Sequence, residues 1–127
     1  MAITDRRMKN AVNTYNDLMY KYGLDHLAIH KENEHWNLRD MVSEVCYQYE
    51  SATTNGFSQK DEYDDACEDY KEFKDDDSKF GRMRFKQATE TIKHYREMLN
   101  DYRRFMVRYR KEASQMECTE RHSSKWD

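Results

Sequence analysis

Between Phe85 and Met116 the apolar positions are Phe85, Ala88, Ile92, Tyr95, Leu99, Tyr102, Met106, Tyr109, Ala113 and Met116. The steps between them alternate three and four without a break. That is a heptad a/d pattern, and it predicts one long helix packed lengthwise on other helices. At ~1.5 Å per residue the helix would be a rod of roughly 48 Å. Met98 and Phe105 fall at g positions and widen the stripe, so this helix is expected to touch more than one neighbour.

Upstream the pattern predicts shorter helices. Thr4 is placed to cap a first helix whose apolar face is Met8, Ala11, Val12, Tyr15, Leu18, Met19 and Tyr22, with Gly23 as its stop. A short helix after Asp25 and a polar turn follow. Asn37 and Asp40 form a capping signal ahead of the stripe Leu38, Met41, Val42, Val45, Cys46, Tyr49 and Ala52. The run from Ala52 to Gly56 ends that helix. Ser58 is placed to cap a third helix carrying Tyr63, Ala66, Tyr70 and Phe73, and Ser78 to cap the long one. Gly81 is expected to leave the first turn of the long helix irregular. Short loops make successive helices antiparallel neighbours. The expected fold is all-α: an elongated bundle of three to four shorter helices with one long C-terminal helix. Residues 1–116 are expected to form a single domain, and residues 117–127 a frayed polar tail.

Composition alters this picture in one respect. Leu, Ile, Val and Phe together number only 17 of 127 residues, whereas there are ten Tyr and eight Met. Tyr and Met must therefore stand in for aliphatic core, with Tyr hydroxyls needing water or a partner. So thin a core suggests completion by a second copy or a partner, with Met98, Tyr102, Phe105, Met106 and Tyr109 as the oligomer or partner face. Pro is absent and the three Gly act as punctuation. There is no apolar run of the ~20 residues a membrane span needs, and the stretch MAITDRRMKN has no apolar signal-peptide segment. Cys46, Cys67 and Cys118 are odd in number and widely spaced, which points to a reduced, cytoplasmic setting.

Charge is unevenly spread. Residues 61–77 hold ten Asp/Glu against two Lys/Arg, whereas residues 78–127 hold thirteen Lys/Arg against seven Asp/Glu. On the third helix Glu62, Asp69 and Asp76 share the g position. On the long helix Arg96, Arg103 and Arg110 share the e position. Antiparallel pairs match g with g and e with e, so these two stripes do not meet in a simple hairpin. The acidic stripe is then a candidate partner-binding surface, able to imitate nucleic-acid phosphates. The basic stripe is a candidate for phosphate contacts.

Catalytic and metal chemistry find little support. There is no Gly-rich phosphate loop, HExxH or nucleophile elbow. His26 and His30 are four apart, and Glu32 and His35 form one Glu-x-x-His pair. A di-iron bundle uses that pair twice, and Glu90 and His94 have the wrong spacing to supply the second. No cofactor, metal or catalytic residue is expected, and the protein reads as a non-enzyme.

The segment His35-Trp-Asn-Leu-Arg-Asp-Met-Val-Ser-Glu44, with its flanks, resembles a stretch of uncharacterised small proteins of tailed bacteriophages. That resemblance carries no site residues. It implies a phage accessory protein that binds a host protein and inhibits it, with an anti-phage defence complex, complexes that handle nucleic acid included, as the leading target. Two alternatives stand beside this: a virion or assembly component forming a helical oligomer or ring, and nucleic-acid binding through the basic stripe.

Overall fold

A computed structural model of the protein describes residues 3–31 and 34–116. Glu32, Cys118 and the expected tail over 117–127 lie outside the described residues. The described chain is all-helical: α1 (Asp5–Lys21), a single 3-10 turn (Asp25–Leu27), α2 (Leu38–Thr53), α3 (Ser58–Phe73) and α4 (Lys79–Ala113). The helical bundle expected from the apolar pattern is present, and α4, with 35 residues, is its long helix. The chain divides into two compact units, one of residues 1–48 and 101–127, the other of residues 49–100.

In the first unit, local chemistry sets the helix ends. The Thr4 hydroxyl accepts a hydrogen bond from the Arg7 N–H at 3.2 Å, the expected N-cap of α1. Gly23 takes a φ of +72°, open to it because it has no Cβ. Its N–H donates to the Tyr20 carbonyl, and the next N–H, from Leu24, donates to Met19 at 2.7 Å. These two bonds are the Schellman closure of a helix C-terminus. The segment after the turn is tied back to α1. The Tyr15 hydroxyl donates to the Leu27 carbonyl at 2.6 Å, and the Ile29 N–H donates to Asn16 Oδ1 at 2.7 Å. At the start of α2, Asp40 N–H donates to Asn37 Oδ1 and Asn37 N–H donates to Asp40 Oδ2, a reciprocal capping box. α1 and the C-terminal part of α4 run antiparallel, with Tyr15 against Phe105 and Tyr22 edge-on to Tyr102. Arg7 pairs with Glu112, and Lys21 with Asp101.

The second unit is built on an antiparallel pair, α3 against residues 79–100 of α4. Tyr63 stacks on Tyr95 with centroids 4.2 Å apart, and Tyr70 lies on Phe85 at 4.9 Å. The end of α2 joins through the Tyr95 hydroxyl, which donates to the Ala52 carbonyl at 2.7 Å. Ser78 caps α4 as expected, its hydroxyl accepting from the Gly81 N–H at 3.0 Å. Ser58 does not cap α3. Phe57 occupies the cap position without a side-chain bond, and Asp61 reaches back to accept from the Gly56 N–H instead. The first turn of α4 is regular helix, contrary to expectation. Gly81 is there because a Cβ would fall on the Asp76 carboxyl group.

The long helix buries most, but not all, of the stripe expected. The d positions Ala88, Tyr95, Tyr102 and Tyr109 are buried, and so are Met98 and Phe105 at g, whereas the a positions Phe85, Ile92, Leu99 and Met106 are only half-buried. A strict a/d seam belongs to a helix facing a single partner. This helix is packed from more than one side, so its buried stripe rotates toward g. The same packing corrects the expected oligomer face. Met98, Tyr102, Phe105 and Tyr109 are filled from within the chain, and only Met106 keeps partial exposure.

Candidate functional site

The structure also disperses the acidic stripe. Glu62 stays exposed. Asp69 forms an ion pair with Arg84 at 2.6 Å, and Asp76 accepts from the Ser78 N–H at 2.8 Å. The Ser78 hydrogen bonds hold the Asp76 carboxyl below its ordinary pKa. The stripe was expected to stand outside internal pairing, and that is corrected. Its g residue Asp69 meets Arg84, which is itself at g on α4, as antiparallel register requires. Of the basic residues, Arg96, Arg103 and Arg110 are all exposed. A hydrogen bond with the Tyr63 side chain raises the Arg96 pKa further.

What the stripes do not supply, the end of the α3–α4 pair does. Phe73 and Phe80 meet edge to face at 5.7 Å across the turn that joins the helices. The Arg84 guanidinium lies 5.6 Å from the Phe73 ring and 5.8 Å from the Phe80 ring, held by its bond to Asp69. The Asp69 carboxylate raises the Arg84 pKa above its already high ordinary value, so the cation is permanent. Next to this group the Tyr70–Phe85 pair continues the aromatic surface. Much of it is open to solvent: Phe80 is 56% exposed, Met83 49% and Tyr70 36%. A protein with so few apolar residues that leaves these three exposed beside a fixed Arg displays the residue types that dominate binding surfaces.

The sequence reading missed this patch, although a signal was there. In the α4 heptad Phe80 falls at c and Met83 at f, positions on the outer side of the helix where an apolar residue has no core to enter.

Grooves flank the helices. In the second unit one of about 370 Å³ is lined by Gln59, Glu62, Tyr63, Glu90, Thr91, His94, Tyr95 and Met98. Its carboxylates, Glu62 and Glu90, face no lining Lys or Arg. Another of about 580 Å³ is lined by Cys67, Tyr70, Lys71, Thr89, Ile92, Lys93 and Arg96, and has no lining carboxylate. In the first unit a groove of about 280 Å³ between α1 and α4 mixes Asp17 and Asp101 with Lys21, Arg104 and Arg108.

Of the histidine candidates, His30 finds other work. His30 Nε2 lies 2.9 Å from the Asp25 carbonyl, and its ring meets Tyr20. Among the described residues no group of three or more His, Cys, Asp and Glu could hold a metal ion. No described helix is long and apolar enough to cross a membrane. The first unit instead buries polar groups that the apolar pattern did not point to. Asp40 and Glu44, one turn apart on α2, are 0% and 1% exposed. Burial, and then the charges of Glu44 and Asp40, push the Tyr15 pKa well above its ordinary value. No protein-family model, curated protein or solved structure matches the chain.

Proposed function

We propose that this is a phage-type accessory protein that acts without catalysis, in the host cytoplasm, by binding a host protein and blocking it. A bacterial defence complex is the favoured target. The binding surface is the aromatic end of the α3–α4 pair. One observation carries this reading: Phe80 lies exposed against an Arg84 that Asp69 already holds in place, with Met83 and Tyr70 exposed on the same pair of helices. An Arg fixed before binding loses less side-chain entropy on association, and exposed aromatics supply desolvation energy at the centre of an interface. The phage setting rests on the resemblance at residues 35–44. Assembly of a virion ring through the long helix has less support, because Met98, Tyr102, Phe105 and Tyr109 already lie in the chain's own core. Nucleic-acid binding through Arg96, Arg103 and Arg110 would show a steep salt dependence. The test is affinity capture from bacterial host lysate with the wild type and with a Phe80→Asp/Met83→Asp variant. A discrete host protein retained by the first and lost by the second supports the proposal. Nucleic acid recovered in place of protein, or a host protein held equally by both, rejects it.

A further inference from the structure

The groove without carboxylates adjoins the aromatic end, and the two share Tyr70, which lines the groove and lies tilted against Phe85. Its charge is unusual for its location. α3 carries seven Asp/Glu and only two Lys. One of these, Lys60, is paired with Asp64 within the helix. The other, Lys71, lines this groove opposite Lys93 and Arg96 of α4. All three cations are exposed, while Cys67 and Ile92 are half-buried and give the groove an apolar bed. One cation of the most acidic helix and two of α4 thus line the same groove, over an apolar strip.

We infer that this groove receives an acidic amphipathic helix of the bound protein, its apolar side chains on Ile92, Cys67 and Tyr70 and its carboxylates on Lys71, Lys93 and Arg96. The inference rests on the protein-binding reading above and names the chemistry of the partner. A short helix laid in a groove is read by a few apolar anchors with charge at the rim, which is what these six residues offer. A nucleic acid fits less well. A long polyanion leaving the groove would meet the seven carboxylates of α3 and Asp75, Asp76 and Asp77 beyond it. A short acidic segment that stays within the groove meets a lining of Lys71, Lys93 and Arg96 without a carboxylate.

Cys67 makes the groove directly observable. With Cys46 and Cys118 changed to Ser, the full-length protein is titrated with a labelled synthetic helical peptide bearing a Leu stripe flanked by Glu. Binding is followed by fluorescence polarisation and by the rate at which N-ethylmaleimide modifies Cys67. The peptide should bind, slow the modification of Cys67 and lose affinity in high salt. Lys93→Glu/Arg96→Glu should weaken it by about tenfold or more. Lys71→Glu serves as a second, milder variant should the double change unfold the helix. Lysate capture is repeated with Lys93→Glu/Arg96→Glu, so that loss of groove binding and loss of lysate capture are separate results. Four results would overturn the inference: undiminished binding to Lys93→Glu/Arg96→Glu, equal binding of a peptide with Lys in place of Glu, no binding, or protection of Cys67 by oligo-dT but not by the acidic peptide.

Discussion

Tyr102 shows how tyrosine does the work of aliphatic core here. It is 1% exposed and lies edge-on to Tyr22 at 5.6 Å. Burial pushes its hydroxyl pKa up to about 12. Truncating a side chain of this size removes its transfer energy and leaves a cavity, so Tyr102→Ala should cost about 3–5 kcal/mol. Urea unfolding checks this, as a fall in midpoint at unchanged slope. The titrating groups set a second expectation. Burial raises the Asp101 pKa, but hydrogen bonds from Tyr22 and Lys21 outweigh it, and the folded value lies below the ordinary one. A depressed carboxyl stabilises above its unfolded pKa and loses that contribution as pH falls through its folded value. Tyr22, raised by burial and by Asp101, and Tyr102 behave in the opposite sense. Their contribution is complete below the ordinary tyrosine pKa of 10.0 and is lost as pH rises toward and past about 12. Stability should therefore fall on both limbs. Asp101→Asn should flatten the acid limb, measured by thermal unfolding across pH, while leaving an alkaline limb from Tyr102.

Within the elements, Gly81 is the most direct test of how a helix start is made. Gly to Ala in a helix ordinarily gains about 1 kcal/mol. At Gly81 the added Cβ meets the Asp76 side chain, which is bonded to the Ser78 N–H. Gly81→Ala should therefore destabilise by about 1–3 kcal/mol. The same change should cost less in an Asp76→Ala background, and a double-mutant cycle by denaturant unfolding reads the difference. The caps at Thr4, Asn37–Asp40, Gly23 and Ser78 were legible in the sequence because each is settled within four or five residues of chain. Ser58 misled because Asp61 competes for the same helix start. The buried stripe on α4 was legible in part: Met98 and Phe105 at g pointed to a second neighbour, but nothing local reported that Phe85, Ile92, Leu99 and Met106 would stay half-buried. The Asp69–Arg84 pair follows from g matching g, but the basic residues at e drew attention away from the single Arg at g. The burial of Asp40 and Glu44 depends on what packs over α2, and no local pattern reports that. The aromatic end was partly legible, through Phe80 and Met83 at outer heptad positions. The ring contacts and the bracing of Arg84 required the fold.

Across the whole molecule, the scarce apolar residues divide into two groups. Tyr15, Met19, Leu38, Met41, Tyr102 and Tyr109 go to the interior, while Phe80, Met83 and Tyr70 remain in water, as do Tyr20, Tyr47, Phe57 and Val107. Keeping large apolar side chains exposed in so polar a chain carries a hydration cost that a bound partner would relieve. The acidic and basic segments bring long-range charge to the same pair of helices, which would speed encounter with a partner of complementary charge. The most direct measurement of the central claim is the affinity of the captured host protein for wild type and for Phe80→Asp/Met83→Asp, with circular dichroism on both. The account predicts unchanged helicity and affinity lower by about tenfold or more, as expected for two residues at the centre of an interface. Equal affinities with intact helicity would contradict it and remove the α3–α4 end as the binding surface.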